Sequence, residues 1–257
     1  MSELEITFLG TGTSQGVPVI ACSCPVCQSQ DPRDKRTRSS IMFSVNGENY
    51  VVDTGPDFRA QMLREDVQSL RAILYTHEHK DHVAGMDDVR AFNYKEQRDM
   101  EIFCSERVEE ALIREFYYVF ESVKYPGVPV VNINRIENKV FTLPCGEEII
   151  PVEVMHYKMP VLGFRIKDFT YITDAKTVAE SELEKVKGSK VLVVNALRKN
   201  EHISHFNLEE ALAFIEKVNP EMAYLTHISH LFESHEEIER ELPENVRVAY
   251  DGLKINL

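Results

Sequence analysis

The sequence predicts an α/β protein in which two β-sheets pack face to face with helices outside. Three observations carry this expectation. Short apolar runs bounded by turn residues recur throughout, with strands dominating the first half of each side and strand–helix units following them. Metal-competent side chains stand just past several of those runs. No linker, low-complexity run or fixed-period repeat divides the 257 residues, so one domain spanning 1–257 is expected.

A first strand is expected at Leu4–Leu9, with Leu4, Ile6 and Phe8 on one face. It runs into Gly10-Thr11-Gly12-Thr13-Ser14-Gln15-Gly16. This stretch lacks the Gly-Lys-Ser/Thr of a P-loop, and its third glycine is misplaced for a dinucleotide fingerprint. It reads as a tight turn under the site or, alternatively, as backbone N–H groups facing an anion. Residues 18–30 hold a cysteine cluster and residues 31–38 a charged loop. Strands at Ile41–Val45 and Tyr50–Asp53 pair across Asn46-Gly47, a strong hairpin dipeptide. A helix through Phe58, Met62 and Leu63 follows, for which Asp53 is a candidate N-cap.

Ala72-Ile73-Leu74-Tyr75 reads as a buried strand, and His77-Glu78-His79-Lys80-Asp81-His82 follows it. Helices at Met86–Phe92 and Val108–Phe120 flank a short strand, Ile102–Cys104. Phe116, Tyr117, Tyr118 and Phe120 are core or, alternatively, a substrate wall. After a loop at Pro126–Pro129, strands are expected at Val140–Leu143, Ile149–Met155, Gly163–Ile166 and Tyr171–Thr173. A helix (Val178–Val186), a strand (Val191–Asn195), a helix (Asn207–Val218), a strand (Ala223–Leu225), a helix (Glu236–Leu242) and a closing strand (Arg247–Ala249) complete the chain.

Composition narrows the function classes. Hydrophobic residues make up 43% of the chain, enough for an ordinary core, and no apolar run approaches the ~20 residues that span a bilayer. Met1-Ser2-Glu3-Leu4-Glu5 is acidic and has no basic n-region, so a cytoplasmic protein without membrane partners is expected. The net charge of −13 counts against nucleic acid as a partner, although divalent metals reverse the local potential in a site. A homodimer is left open.

The chemistry concentrates in His77, His79, Asp81 and His82. Imidazole nitrogen and carboxylate oxygen are the donors that zinc, manganese and iron accept, and a loop past a strand end can fold around an ion. His156, Asp174 and His227 each follow another apolar strand, the same placement. Of the five cysteines, Cys22, Cys24 and Cys27 form Cys-x-Cys-x-x-Cys, while Cys104 and Cys145 stand alone. Such clustering reads as metal binding before disulfide formation. A closed zinc site wants four ligands, and the natural fourth is His230, three residues after His227.

The His-x-His-x-Asp-His run, with His156, Asp174 and His227 in order behind it, resembles the metallo-β-lactamase superfamily over nearly the whole chain. The resemblance implies the αββα four-layer sandwich with a metal site at one sheet edge. It implies one metal on His77, His79 and His156, a second on Asp81, His82 and His227, and Asp174 bridging them. It also places Asp53 behind the metal loop, as an alternative to an N-cap. Within the superfamily, Phe8-Leu9-Gly10-Thr11-Gly12, then Gln15-Gly16-Val17-Pro18, then the cysteine run resemble the cyclic-phosphate phosphodiesterase (PhnP-like) family of the carbon–phosphorus lyase pathway. That family's third metal is a zinc on three Cys and one His, which implies a structural zinc knuckle at about residues 20–30. Secreted β-lactamases of this fold are set aside for want of a signal peptide and because Asp174 is commonly Cys there. Glyoxalase II relatives are set aside because about 30 residues follow His227, too few for their helical region.

The implied activity is metal-dependent hydrolysis of a small cyclic or nucleotide-like phosphodiester at two divalent metals, zinc or manganese with iron a third option. By resemblance His205 faces the scissile phosphate and serves as general acid, with Asp81 and Asp174 completing the catalytic set; His202 is the alternative to His205. His235 is expected at the surface. A tRNA 3′-processing ribonuclease shares the opening motif and the seven ligands, but this chain is acidic and lacks a basic, Gly-rich arm. A carrier of the pyrroloquinoline quinone accessory type shares the zinc knuckle, but its catalytic ligand set is depleted whereas all seven positions are filled here.

Overall fold

A computed structural model describes residues 4–123 and 125–257. Met1–Glu3, part of the acidic N-terminal stretch, and Lys124 lie outside the described residues. The first sheet contains β1 (Glu5–Gly10), β2 (Ser40–Val45), β3 (Glu48–Val52), β4 (Ala72–Leu74), β5 (Met100–Cys104) and β6 (Val131–Arg135). The second contains β7 (Phe141–Thr142), β8 (Glu148–His156), β9 (Met159–Ile166), β10 (Phe169–Tyr171), β11 (Thr177–Val178), β12 (Val191–Asn195), β13 (Met222–Thr226) and β14 (Val246–Val248). The last strand, β15 (Lys254–Asn256), returns to the first sheet, whose order is β15-β1-β2-β3-β4-β5-β6. The second sheet runs β11-β8-β9-β10-β12-β13-β14, with β7 on β8.

Alternation along the strands creates the layers. In β2, Ile41, Phe43 and Val45 face the second sheet while Met42 faces away; in β3, Tyr50 and Val52 face in and Val51 faces out. The inner faces meet in a core of Phe8, Phe43, Tyr50, Phe164, Phe169 and Tyr171, each phenylalanine contributing about 1.5–3 kcal/mol by its burial. The outer face of the first sheet is covered by helices that include the one over Phe58–Arg64. The outer face of the second packs against helices around Leu183, Phe214 and Ile238. This is the expected αββα sandwich.

The Asn46-Gly47 hairpin forms as expected, both residues taking positive φ between Val45 and Glu48. Several expectations need correction. The strand expected at Tyr171–Thr173 is Phe169–Tyr171, pairing in parallel with Val191–Val193, so Thr173 and Asp174 lie in the turn beyond it. β6, β11 and β15 have no counterpart among the expected strands, and Val178, expected to open a helix, lies in β11 while the helix begins at Glu180. The helix expected at Val108–Phe120 ends at Glu115; Phe116 takes φ −122° and a short turn of helix restarts at Tyr117. His235, expected at the surface, is 3% exposed. Its backbone N–H donates to Asp34 Oδ1 at 2.7 Å and the Arg36 guanidinium lies 3.2 Å from its Nδ1. Burial first, then Arg36, pushes its pKa down to about 4.

Candidate metal centre

The loop after β4 is built from both sides. Leu162 of β9 donates its backbone N–H to the Thr76 carbonyl, tying the loop to the second sheet. Thr54 donates its N–H to the His82 carbonyl, and Gly55 lies so close that a Cβ would stand 2.2 Å from the Asp81 carbonyl oxygen. Glycine at 55 therefore permits the hairpin end to pack against the histidine loop. His79 starts the short helix over Lys80–Val83, which turns His82 inward.

Asp53 resolves between its two readings in favour of the loop. Its carboxylate accepts from the Thr76 N–H at 2.9 Å, the Thr76 hydroxyl at 2.8 Å and His82 Nδ1 at 2.7 Å. The helix N-cap position belongs to Asp57. With Nδ1 of His82 donating to Asp53, its Nε2 is left as the lone-pair donor. His156 Nδ1 likewise donates to the Ser204 carbonyl at 2.8 Å. His77 Nδ1 lies 2.9 Å from the Thr76 hydroxyl.

Asp174 stands at the middle. Its Oδ1 accepts from the Thr173 hydroxyl at 2.5 Å and lies 3.2 Å from His227 Nδ1 and 3.5 Å from His82 Nε2. Its Oδ2 lies 3.2 Å from His205 Nε2 and 3.9 Å from His77 Nε2. Donor atoms of Asp81, His82, Asp174 and His227 all fall within 4.8 Å of one another, as do those of His156, Asp174 and His205. The His79 ring is 4.7 Å from that of His77 and 5.2 Å from that of His156. All seven residues thus converge. Asp53, Asp174 and His227 all hold positive φ, 64°, 56° and 58°, a concentration of backbone strain at one place.

The donor set fits divalent cations. His77 Nε2 and His82 Nε2 are buried without a hydrogen-bond partner, an arrangement that costs free energy unless something accepts their lone pairs. Burial pushes His77 and His156 down, and His227 to about 4, so these imidazoles are neutral as ligands must be. Burial opposes ionisation of Asp174, but His227, His82, His205 and His77 prevail and hold it well below the usual carboxylate range. Burial also works to lower His82, but Asp81, Asp174 and Asp53 outweigh it and raise its pKa, the mark of a site that seeks positive charge.

His205 is buried, and its Nδ1 lies 3.1 Å from His202 Nδ1 and 3.1 Å from the Ser204 hydroxyl. His202 sits behind it, one ring further from Asp174. The Gly10–Gly16 stretch is a turn under the site: Gly12 N–H donates to Thr37, Thr13 N–H to Ile228 and Gly16 N–H to Thr13, which leaves those N–H groups committed within the protein. Thr13, whose hydroxyl lies 3.2 Å from His227 Nε2, was not singled out from the sequence. Of the aromatic cluster, Phe116 is core and Tyr118 donates to Asp87 at 2.5 Å; Tyr117 is exposed.

The second cluster lies close by. Sγ of Cys22, Cys24 and Cys27 stand 3.2, 3.4 and 3.5 Å from His230 Nδ1. Tetrahedral zinc with ordinary bond lengths puts sulfur and nitrogen ligands ~3.5 Å apart. The Cys27 backbone N–H, with lesser help from His230, lowers the Cys24 thiol to about 6, whereas burial raises Cys27 to about 11. His227 and His230 share one loop, pinned by Ile228 N–H to Thr11 and Ser229 N–H to Leu197. Cys24→Ser is therefore expected to lower the melting temperature by roughly 5–10 °C, more than it harms chemistry at restored metal, because a neutral hydroxyl is a poor zinc ligand. Thermal unfolding with zinc analysis checks this; an unchanged melting temperature with zinc retained would exclude a zinc knuckle.

Fold and site together define a metallo-β-lactamase-fold protein whose clustered imidazoles and carboxylates fit divalent cations. A profile for the β-lactamase superfamily domain matches residues 48–228, and the chain belongs to that superfamily. An octanoyltransferase of Porphyromonas gingivalis is 36% identical over 253 residues, 98% of this chain but 51% of that protein. The chain spans about half the length of this curated relative. Among solved structures, a new diphosphatase from the PhnP family superposes with TM-score 0.93 at 36% identity, covering 100% of this chain and 98% of that one. Zn(2+)-bound PqqB from Methylobacterium extorquens superposes with TM-score 0.82 at 19% identity, covering 98% and 100%, a likeness of fold. No helix among the described residues is long and apolar enough to cross a membrane.

Proposed function

We propose that this chain acts as one domain, a metal-dependent phosphodiesterase for a small cyclic or nucleotide-like phosphodiester. The observation that carries the reading is the clustering of seven imidazole and carboxylate residues, Asp174 among them, with the Nε2 atoms of His77 and His82 unpartnered. The likeness to a PhnP-family diphosphatase supports it and adds diphosphates to the candidate substrates. His77, His79 and His156 would hold one cation, Asp81, His82 and His227 the other, and Asp174 both. Zinc or manganese, with iron a third option, fits these donors. Cys22, Cys24, Cys27 and His230 would hold a structural zinc.

Two such cations supply an acidified water and neutralise charge on a phosphoryl group when bound. The chain's own residues do the rest. Asp53 fixes the His82 tautomer through Nδ1, and the Ser204 carbonyl does so for His156. His205 carries the proton at Nε2, oriented by Asp174 Oδ2, and delivers it to the leaving oxygen.

A panel of cyclic phosphodiesters, nucleotide diesters, diphosphates and precursor tRNA, with the protein loaded with Mn²⁺ or Zn²⁺, tests the reading. Turnover of a small phosphoester, lost on chelation, is the expected result. Cleavage of precursor tRNA alone would favour the ribonuclease. No turnover of any member by a fully metallated protein would favour a carrier.

A further inference from the structure

Beside the metal centre lies a cleft of about 590 Å³, lined by His79 and His156 together with Arg107, Tyr157, Lys158 and Ile203. Its size is that of a small-molecule site. The hydrolytic chemistry uses only the two histidines.

Tyr157 and Lys158 make the turn between β8 and β9. The hairpin at Asn46-Gly47 places positive φ on residues that accept it readily. Here the positive φ, 58°, falls on a tyrosine next to His156. A bulky side chain in the left-handed region is uncommon and costs free energy. Burial does not offset the cost, because Tyr157 is 54% exposed. Ile203, 68% exposed, reaches the same cleft from the loop that carries Ser204 and His205. Lys158 Nζ lies 5.3 Å from the centre of the Tyr157 ring and has no carboxylate partner among the described residues. Arg107, by contrast, is held by Glu78 of the histidine loop. A free cation beside an exposed aromatic, on a chain of net charge −13, marks a place prepared for an anionic ligand with a flat ring.

We propose that the Tyr157–Lys158 hairpin tip is a subsite for the part of the substrate remote from the scissile bond, and that it takes a nucleoside phosphate. Tyr157 and Ile203 hold the base between them, and Lys158 holds a phosphate oxygen that is not cleaved. The proposal rests on the phosphoester reading above, whose substrate class it narrows.

Adenosine 5′-monophosphate and ribose 5-phosphate differ by the base alone, so their binding to the metal-loaded protein, measured by calorimetry, isolates the stacking. Adenosine monophosphate should bind about tenfold more tightly. Tyr157→Gly suits the positive φ and so spares the fold; it should remove that preference and leave ribose 5-phosphate binding unchanged. Lys158→Gln should weaken both ligands by a similar factor. Equal affinities in the unaltered protein would overturn the proposal, as would equal losses for both ligands in Tyr157→Gly, which would make the tip a support for His156 only. A Tyr157-dependent preference in a protein that cleaves no phosphoester would keep the subsite and reject the hydrolytic reading. Cleavage of phosphoesters without the preference would do the reverse.

Discussion

Asp174→Asn lowers hydrolysis by at least ~10²-fold and weakens retention of the second catalytic metal. Asparagine has the same shape and tolerates the positive φ that residue 174 holds, so the substitution changes charge with little change of backbone. The carboxylate oxygens face four imidazoles, Oδ1 toward His227 and His82 and Oδ2 toward His205 and His77. An amide offers one oxygen and one N–H₂ group, and the latter cannot accept or ligate. Either orientation leaves one pair of imidazoles facing a donor. The loss of negative charge also removes what offsets the burial of cations there. Steady-state kinetics with metal content per chain reads both effects, and a melting curve shows that the fold survives. An Asp174→Asn protein with full metal and full activity would contradict the central position of this residue.

His205→Ala separates chemistry from metal binding. His205 is outside the proposed ligand set although its Nε2 lies 3.2 Å from Asp174 Oδ2. Metal content and melting temperature should therefore stay close to those of the parent. Loss of a general acid costs ~10²–10⁴-fold. A ribosyl alkoxide is strongly basic and needs the proton, whereas p-nitrophenolate leaves unaided. The defect should thus be large on a ribose-type phosphodiester and much smaller on a p-nitrophenyl ester. Similar losses on the two substrates would replace the acid role with an electrostatic one. Metal loss would instead move His205 among the ligands, beside His156 and Asp174, whose donors it already approaches.

Much of this site was legible because its proposed ligands sit near strand ends, where apolar runs stop and metal-competent residues begin. His227 follows β13 directly, whereas two residues separate His77 from the end of β4 at Leu74 and Asp174 from the end of β10 at Tyr171. The cysteine cluster found its fourth partner through the short spacing from His227 to His230. What escaped depends on contacts distant in sequence. β6 alternates Val131, Ile133 with Asn132, Asn134 at a sheet edge, so its apolar signal is half that of a central strand. β15 has one apolar residue and exists by pairing with β1. His235 carries no local sign of burial; Asp34 and Arg36, some 200 positions away, enclose it. The β8–β9 hairpin lacks the Gly, Asn or Asp that announces a tight turn, because Tyr157 stands there instead. Asp53 was ambiguous since an N-cap and a histidine support both call for a carboxylate just past a strand, and only the fold brings Thr76 and His82 to it.

Elemental analysis of the purified, folded chain tests the central claim most directly. Seven converging imidazole and carboxylate donors plus Cys22, Cys24, Cys27 and His230 predict about three metals per chain, one of them zinc that survives mild chelation while the other two leave. About one metal per folded chain, after growth and purification with zinc and manganese supplied, would contradict a dinuclear centre beside a zinc knuckle.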